Sequence, residues 1–132
     1  ATLNAAGRAA DRALLKPFLA YLRLLVAALS WAPVEHDVTL YRGARLRDAP
    51  AKSAEQLHAE LCTAPDAAYR KGAEGTWFGV TSTTHDVAVL RKNSFCGKSG
   101  FRIKFVLHAR RGHHVEHASQ YPEGEFLVLP GW

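Results

Sequence analysis

FRIKFVLHARRGHHVEHAS, residues 101–119, decides how the strands of this chain are connected. Two runs of strand-like composition, 101–109 and 113–119, are separated only by Arg110, Arg111 and Gly112. So short a separation leaves no room for a crossover helix, and it predicts a hairpin turn at 110–112 with antiparallel arms. Working outward, DVTLYRG (37–43), TWFGVTST (76–83) and EFLVLPG (125–131) have the same texture, each bounded by Gly, Pro or charged residues. The apolar run from Phe126 to Leu129 further predicts a last strand covered on both faces.

Upstream the period changes. Within residues 3–29, Leu14, Leu15, Phe18, Leu22, Leu25 and Leu29 recur at helical spacing. Pro17 fits the first turn of a helix and not an interior, so two helices are expected to meet near Lys16. The most apolar stretch, 18–33, is interrupted by Arg23 and falls short of the ~20 residues of a membrane span, which predicts a buried helix and no membrane crossing. Residues 53–62 open with a Ser-x-x-Gln capping box and predict a short helix, and another is expected over 86–92. No repeat or linker divides the chain, so the expected fold is one α+β domain over residues 1–132, its N-terminal helices packed on a mainly antiparallel sheet.

The 132 residues suit one domain, and 48% apolar with 22% charged residues is an ordinary globular balance that argues against disorder. Seventeen basic residues against twelve acidic ones give a net charge of +5, which favours anionic partners such as phosphates, nucleic acid or acidic protein surfaces. Cys62 and Cys96 form no CxxC pair, so a structural zinc site is not suggested, and they read equally as one disulfide or two thiols. HHVEH, residues 113–117, lacks further ligands at metal spacing, so no metal is expected there. The chain begins at Ala1 without a methionine, which leaves room for an upstream targeting segment and leaves the compartment open between cytoplasm and export.

Three places carry candidate chemistry. Glu123 and Glu125 stand one residue apart before the last strand; an extended chain points them to the same face about 6–7 Å apart. Such a pair destabilises the fold unless a cation or a hydroxyl meets it. Arg42 ends a strand beside Gly43, where a guanidinium fork matches phosphate oxygens and the glycine admits a ligand to the backbone. The hydroxyl run from Thr81 to Thr84 follows an aromatic segment, and Thr84 or a neighbour is placed to cap the helix near Asp86.

In order, LYRG, TWFGVTSTT and YPEGEFLVLPG, with NSFCGKSGFRIKF between the last two, resemble the Arg, Ser-x-Ser, Glu-x-Glu pattern of arginine-type mono-ADP-ribosyltransferases. The likeness extends from about Leu3 to the end of the chain, with Thr84 standing where the family often has a second serine. The resemblance implies a split β-sheet with flanking helices, NAD as co-substrate, no metal, and a protein acceptor with an exposed arginine. It assigns Glu125 to the cationic ribose of the transition state, Ser82 to holding Glu125 or that ribose, and Arg42 with Gly43 to the dinucleotide. Thr83 falls in the same dinucleotide-binding segment. Glu123 would orient the acceptor guanidinium, Tyr121 would face the protein substrate, and Phe95 would pack on nicotinamide.

No GxGxxG segment follows a strand and opens a helix, so a Rossmann site is not expected. Two functions compete: an arginine-directed transferase that also passes ADP-ribose to water as an NAD glycohydrolase, and a non-catalytic module of the same fold that binds a protein partner. No nucleic-acid partner is expected, while NAD against NADP preference and the oligomeric state stay open.

Overall fold

A computed structural model describes residues 2–46, 52–93, 95–120 and 123–129. Helix α1 (Leu3–Arg8) starts where Thr2 Oγ1 accepts the amide of Ala5 at 3.3 Å. A 3-10 turn, Arg12–Phe18, is capped by Asp11 and contains Pro17, and helix α2 (Leu19–Trp31) continues directly from it. Proline has no amide hydrogen to give to an α-helical ladder, so the α-helix begins only after Pro17. Helix α3 (Ala54–His58) opens on the expected capping box: Ser53 Oγ accepts from the Gln56 amide, and Gln56 Oε1 accepts from the Ser53 amide at 2.8 Å.

The sheet consists of β1 (Val34–Arg45), β2 (Thr81–Thr84), β3 (Arg102–His114) and β4 (Glu125–Val128). Every pairing is antiparallel, and the strands close on one another in the order β1-β2-β4-β3. The long β1–β3 ribbon runs from Val34↔His113 to Arg45↔Arg102, and the short β2–β4 pair from Thr81↔Val128 to Thr84↔Glu125. Narrow seams join the two ribbons, at Tyr41↔Thr84 on one side and at His113↔Leu127 and His114↔Phe126 on the other. The expected α+β class with an antiparallel sheet is therefore present.

The expected hairpin at 110–112 is not. Arg111 pairs with His36 and Gly112 with Glu35 inside the uninterrupted strand β3. Gly112 serves close packing instead of a turn: a Cβ there would lie 2.9 Å from the Phe126 ring and 3.2 Å from Val38. The second half of the predicted hairpin, beyond His114, becomes a short 3-10 turn, Glu116–Ala118. The strand expected over 76–83 is also shorter than its composition suggests. Trp77 and Phe78 lie outside β2; Trp77 meets the edge of Phe105 at 5.3 Å, and Phe78 lies under the Arg12 guanidinium at 4.5 Å.

Leu40, Ala109, Phe126 and Val128 form the buried core, flanked by Val38 and Leu107. Along β4 burial alternates, Phe126 and Val128 inside with Glu125 and Leu127 half-buried, so this strand is fully covered on one face and not on both. Helix α2 departs furthest from expectation. Leu29 is its one buried residue, while Leu24 is 70% and Trp31 89% exposed. The helical run Arg12–Trp31 is 20 residues long with mean hydropathy 1.6, enough by length and composition alone to cross a membrane. The expectation of a buried helix fails because apolar residues lie on all sides of α2 while only the edge carrying Leu22, Leu25 and Leu29 is covered.

Candidate active site

The C-terminal half of β1, strand β2 and the entry to β4 enclose a cleft of about 310 Å³. Arg42, Gly43, Ser82, Thr83, Phe95, Glu123 and Glu125, scattered over more than eighty residues of sequence, all line it. Tyr121 lies outside the described residues.

The register explains the convergence. Thr84 pairs with Tyr41 on one side and Glu125 on the other, so β2 brings Arg42 and Glu125 to its two edges. Alternation along β2 leaves Ser82 exposed and turns Thr83 inward. Ser82 Oγ donates to Glu125 Oε1 at 2.7 Å, a short charge-assisted bond that fixes the carboxylate rotamer. The Arg42 guanidinium donates to the Ser82 carbonyl at 2.9 Å, so one residue orients both ends of the site. The Thr83 hydroxyl donates to the Phe126 carbonyl at 3.1 Å, across the β2–β4 pair.

Arg42 is held in an unusual setting. Burial first, and then the positive charge of Arg8, pull its guanidinium below its ordinary pKa, with Tyr69 acting in the opposite direction. Guanidinium stays charged over the accessible range, so this half-buried cation beside a second cation is a receptive point for an anion.

Glu123 and Glu125 reach the same cleft by a route other than the extended one. Gly124 adopts φ +58°, which turns the chain between them, and a Cβ at Gly124 would overlap the His85 ring. Only glycine therefore fits this entry as it packs against His85. Thr84 also holds the entry: its hydroxyl donates to the Glu123 carbonyl at 2.9 Å while accepting the Asp86 amide at 3.0 Å. The cap of the following 3-10 turn, Val87–Arg91, is Asp86 itself and not a threonine.

Each glutamate has its own partner, as two neighbouring like charges require. Ser82 meets Glu125, and Lys92 Nζ meets Glu123 Oε1 at 2.9 Å. Lys92 carries no signature of this pairing in the sequence, because nothing in residues 86–98 marks it rather than Lys98 as facing a carboxylate 31 positions away. Gly43 has a packing reason for its identity, since a side chain there would strike the Cys96 sulfur. Cys62 and Cys96 are both free thiols. Among the described residues no group of three or more His, Cys, Asp or Glu side chains is arranged to hold a metal.

The cleft thus offers an anion-receptive guanidinium, an aromatic face at Phe95, and a carboxylate fixed by a hydroxyl, which suits a cationic centre on a ligand that also carries negative charge. No family model, curated protein or solved structure matches the chain.

Proposed function

We propose that the chain transfers ADP-ribose from NAD to an arginine side chain of a protein acceptor, releasing nicotinamide, with water as an alternative acceptor. The observation that carries this reading is the hydrogen-bonded line from Arg42 through Ser82 to Glu125 within one cleft. Cleavage of the nicotinamide–ribose bond develops oxocarbenium character on the sugar, as in glycoside hydrolysis. A carboxylate already oriented by Ser82 stabilises that charge without reorganising during the reaction. Arg42 neutralises the phosphates, and Phe95 supplies a stacking face for the departing ring.

The cleft alone is at the small end for a ligand site, and it suits the nicotinamide and its ribose. A neighbouring recess of about 570 Å³ shares Ser82 and is lined by Thr2, Asn4 and Tyr21, which gives the remainder of a dinucleotide somewhere to lie. The two β-ribbons joined at narrow seams are compatible with the split sheet of arginine-type mono-ADP-ribosyltransferases. Glu123, at the mouth beside Glu125, is then the group that receives the acceptor guanidinium.

Incubation with labelled NAD and polyarginine or agmatine tests the reading. Wild-type protein is expected to transfer label, Glu125→Gln to lose both transfer and NAD cleavage, and Glu123→Gln to lose transfer while still cleaving NAD. Absence of NAD cleavage together with absence of an NAD-dependent thermal shift would favour the second reading, a non-catalytic protein-binding module. That alternative draws its support from the exposed apolar face of α2, Leu19, Tyr21, Leu24 and Trp31.

A further inference from the structure

Lys92 occupies the carboxylate that the transferase reading gives to the acceptor. Its ammonium lies 2.9 Å from Glu123 Oε1, with side-chain exposures of 51% for Lys92 and 16% for Glu123. The two ends of this pair are anchored differently. Glu123 is held through its backbone by Thr84 and by the turn at Gly124 under His85. The Lys92 backbone is likewise fixed, its carbonyl accepting the amides of Phe95 and Gly97 at 3.0 Å each, but its long side chain reaches across open space. A fixed, mostly covered carboxylate paired with an exposed, flexible cation is a receptor with a replaceable guest. The two residues also line, with Asp86 and Glu116, a recess of about 370 Å³ that includes neither Arg42 nor Ser82 nor Glu125, so a second cation has a path to Glu123 beside the first cleft.

We infer that Lys92 is a positioning residue that holds Glu123 until an incoming guanidinium displaces it, and thereby sets the affinity for the arginine acceptor. The inference rests on the transferase reading for the identity of the guest. An ammonium arriving at Glu123 would only exchange one point charge for another, with no gain. A guanidinium makes two parallel hydrogen bonds to the same carboxylate, which Lys92 cannot match. The resident lysine thus lowers the affinity for any cationic guest by the same factor, while the preference for arginine lies in the two-point geometry of the carboxylate. Because the pair is partly exposed, the displacement is inexpensive.

The test is titration of the full chain with agmatine and, separately, cadaverine, in the absence of NAD, followed by NMR. Wild type is expected to bind agmatine more tightly than cadaverine. Lys92→Met should bind both ligands about two- to fivefold more tightly and keep the preference for agmatine. Lys92→Arg, whose guanidinium holds Glu123 more firmly, should weaken both, and Glu123→Gln should abolish the preference for agmatine. In turnover with NAD, Lys92→Met should lower the KM for agmatine by the same factor. Equal affinities of wild type for the two ligands, or unchanged affinities in both Lys92 variants, would overturn the inference. Failure of the wild type to cleave NAD would instead remove the transferase reading, while the titrations still decide what Lys92 does.

Discussion

Ser82 links a cation to a carboxylate through two different atoms, its carbonyl to Arg42 and its hydroxyl to Glu125, and those two roles separate on mutation. Ser82→Ala keeps the carbonyl and removes the hydroxyl. NAD cleavage is expected to fall about 10- to 100-fold, the usual penalty for losing a group that orients a reacting one, with stability lowered by only about 1 kcal/mol. Parallel steady-state kinetics and urea denaturation check both halves. Gly124→Ala addresses the turn instead. Its methyl would overlap His85 at a φ of +58°, so we expect a loss of about 1–3 kcal/mol and impaired acceptor transfer, read by the same denaturation and by labelling of polyarginine. Arg42, Ser82 and Glu125 stand out in the sequence together only through the resemblance of their three motifs to a known pattern, and what the structure adds is that they line one cleft. Lys92 and the Thr84 hydroxyl do not stand out, since an ion pair or a side-chain bond to a distant backbone leaves no local signature. Thr83 has a use that the hydroxyl run does not announce: its hydroxyl donates to the Phe126 carbonyl, because strand alternation, not composition, assigns it a face.

Strand β3 shows how one glycine supports opposite predictions. Arg-Arg-Gly between two apolar runs has the composition of a turn, yet Gly112 is the place where the Phe126 ring presses on the strand. A substitution distinguishes the two roles. In a hairpin turn asparagine replaces glycine at little cost, whereas beneath Phe126 and Val38 any side chain must displace the core. We therefore expect Gly112→Asn to destabilise the protein by roughly 2 kcal/mol or more, measured by urea denaturation, and a tolerated substitution would restore the hairpin. Elements whose start signals are local were readable, as with the Ser53–Gln56 box that opens α3. Continuity of β3 was not, because it depends on a partner, β1, some seventy residues upstream.

At the scale of the whole molecule, helical spacing gave the existence of α2 but not the face it buries, since that depends on how wide a sheet the rest of the chain can build. Only one edge of the helix is covered, so truncating Leu29 should cost about 2–4 kcal/mol while Leu24→Ser and Trp31→Ser change stability by less than about 0.5 kcal/mol, as thermal unfolding will report. The same small sheet bears on function. Arg42 belongs to the β1–β3 ribbon and Ser82 and Glu125 to the β2–β4 ribbon, and beside the site the two ribbons pair only at Tyr41↔Thr84. Local opening follows the regions with fewest cross-links, so β2 and β4 amides should exchange hydrogen faster than those in the middle of β1 and β3. Under the proposed function, a dinucleotide held by Arg42 on one ribbon and Glu125 on the other would bridge that seam and stabilise the closed form by mass action. NAD at saturation should then slow exchange in β2 and β4 several-fold more than in the centre of the β1–β3 ribbon, and Arg42→Ala should remove the difference. Uniform protection across all four strands, or none, would mean that the ligand does not span the seam.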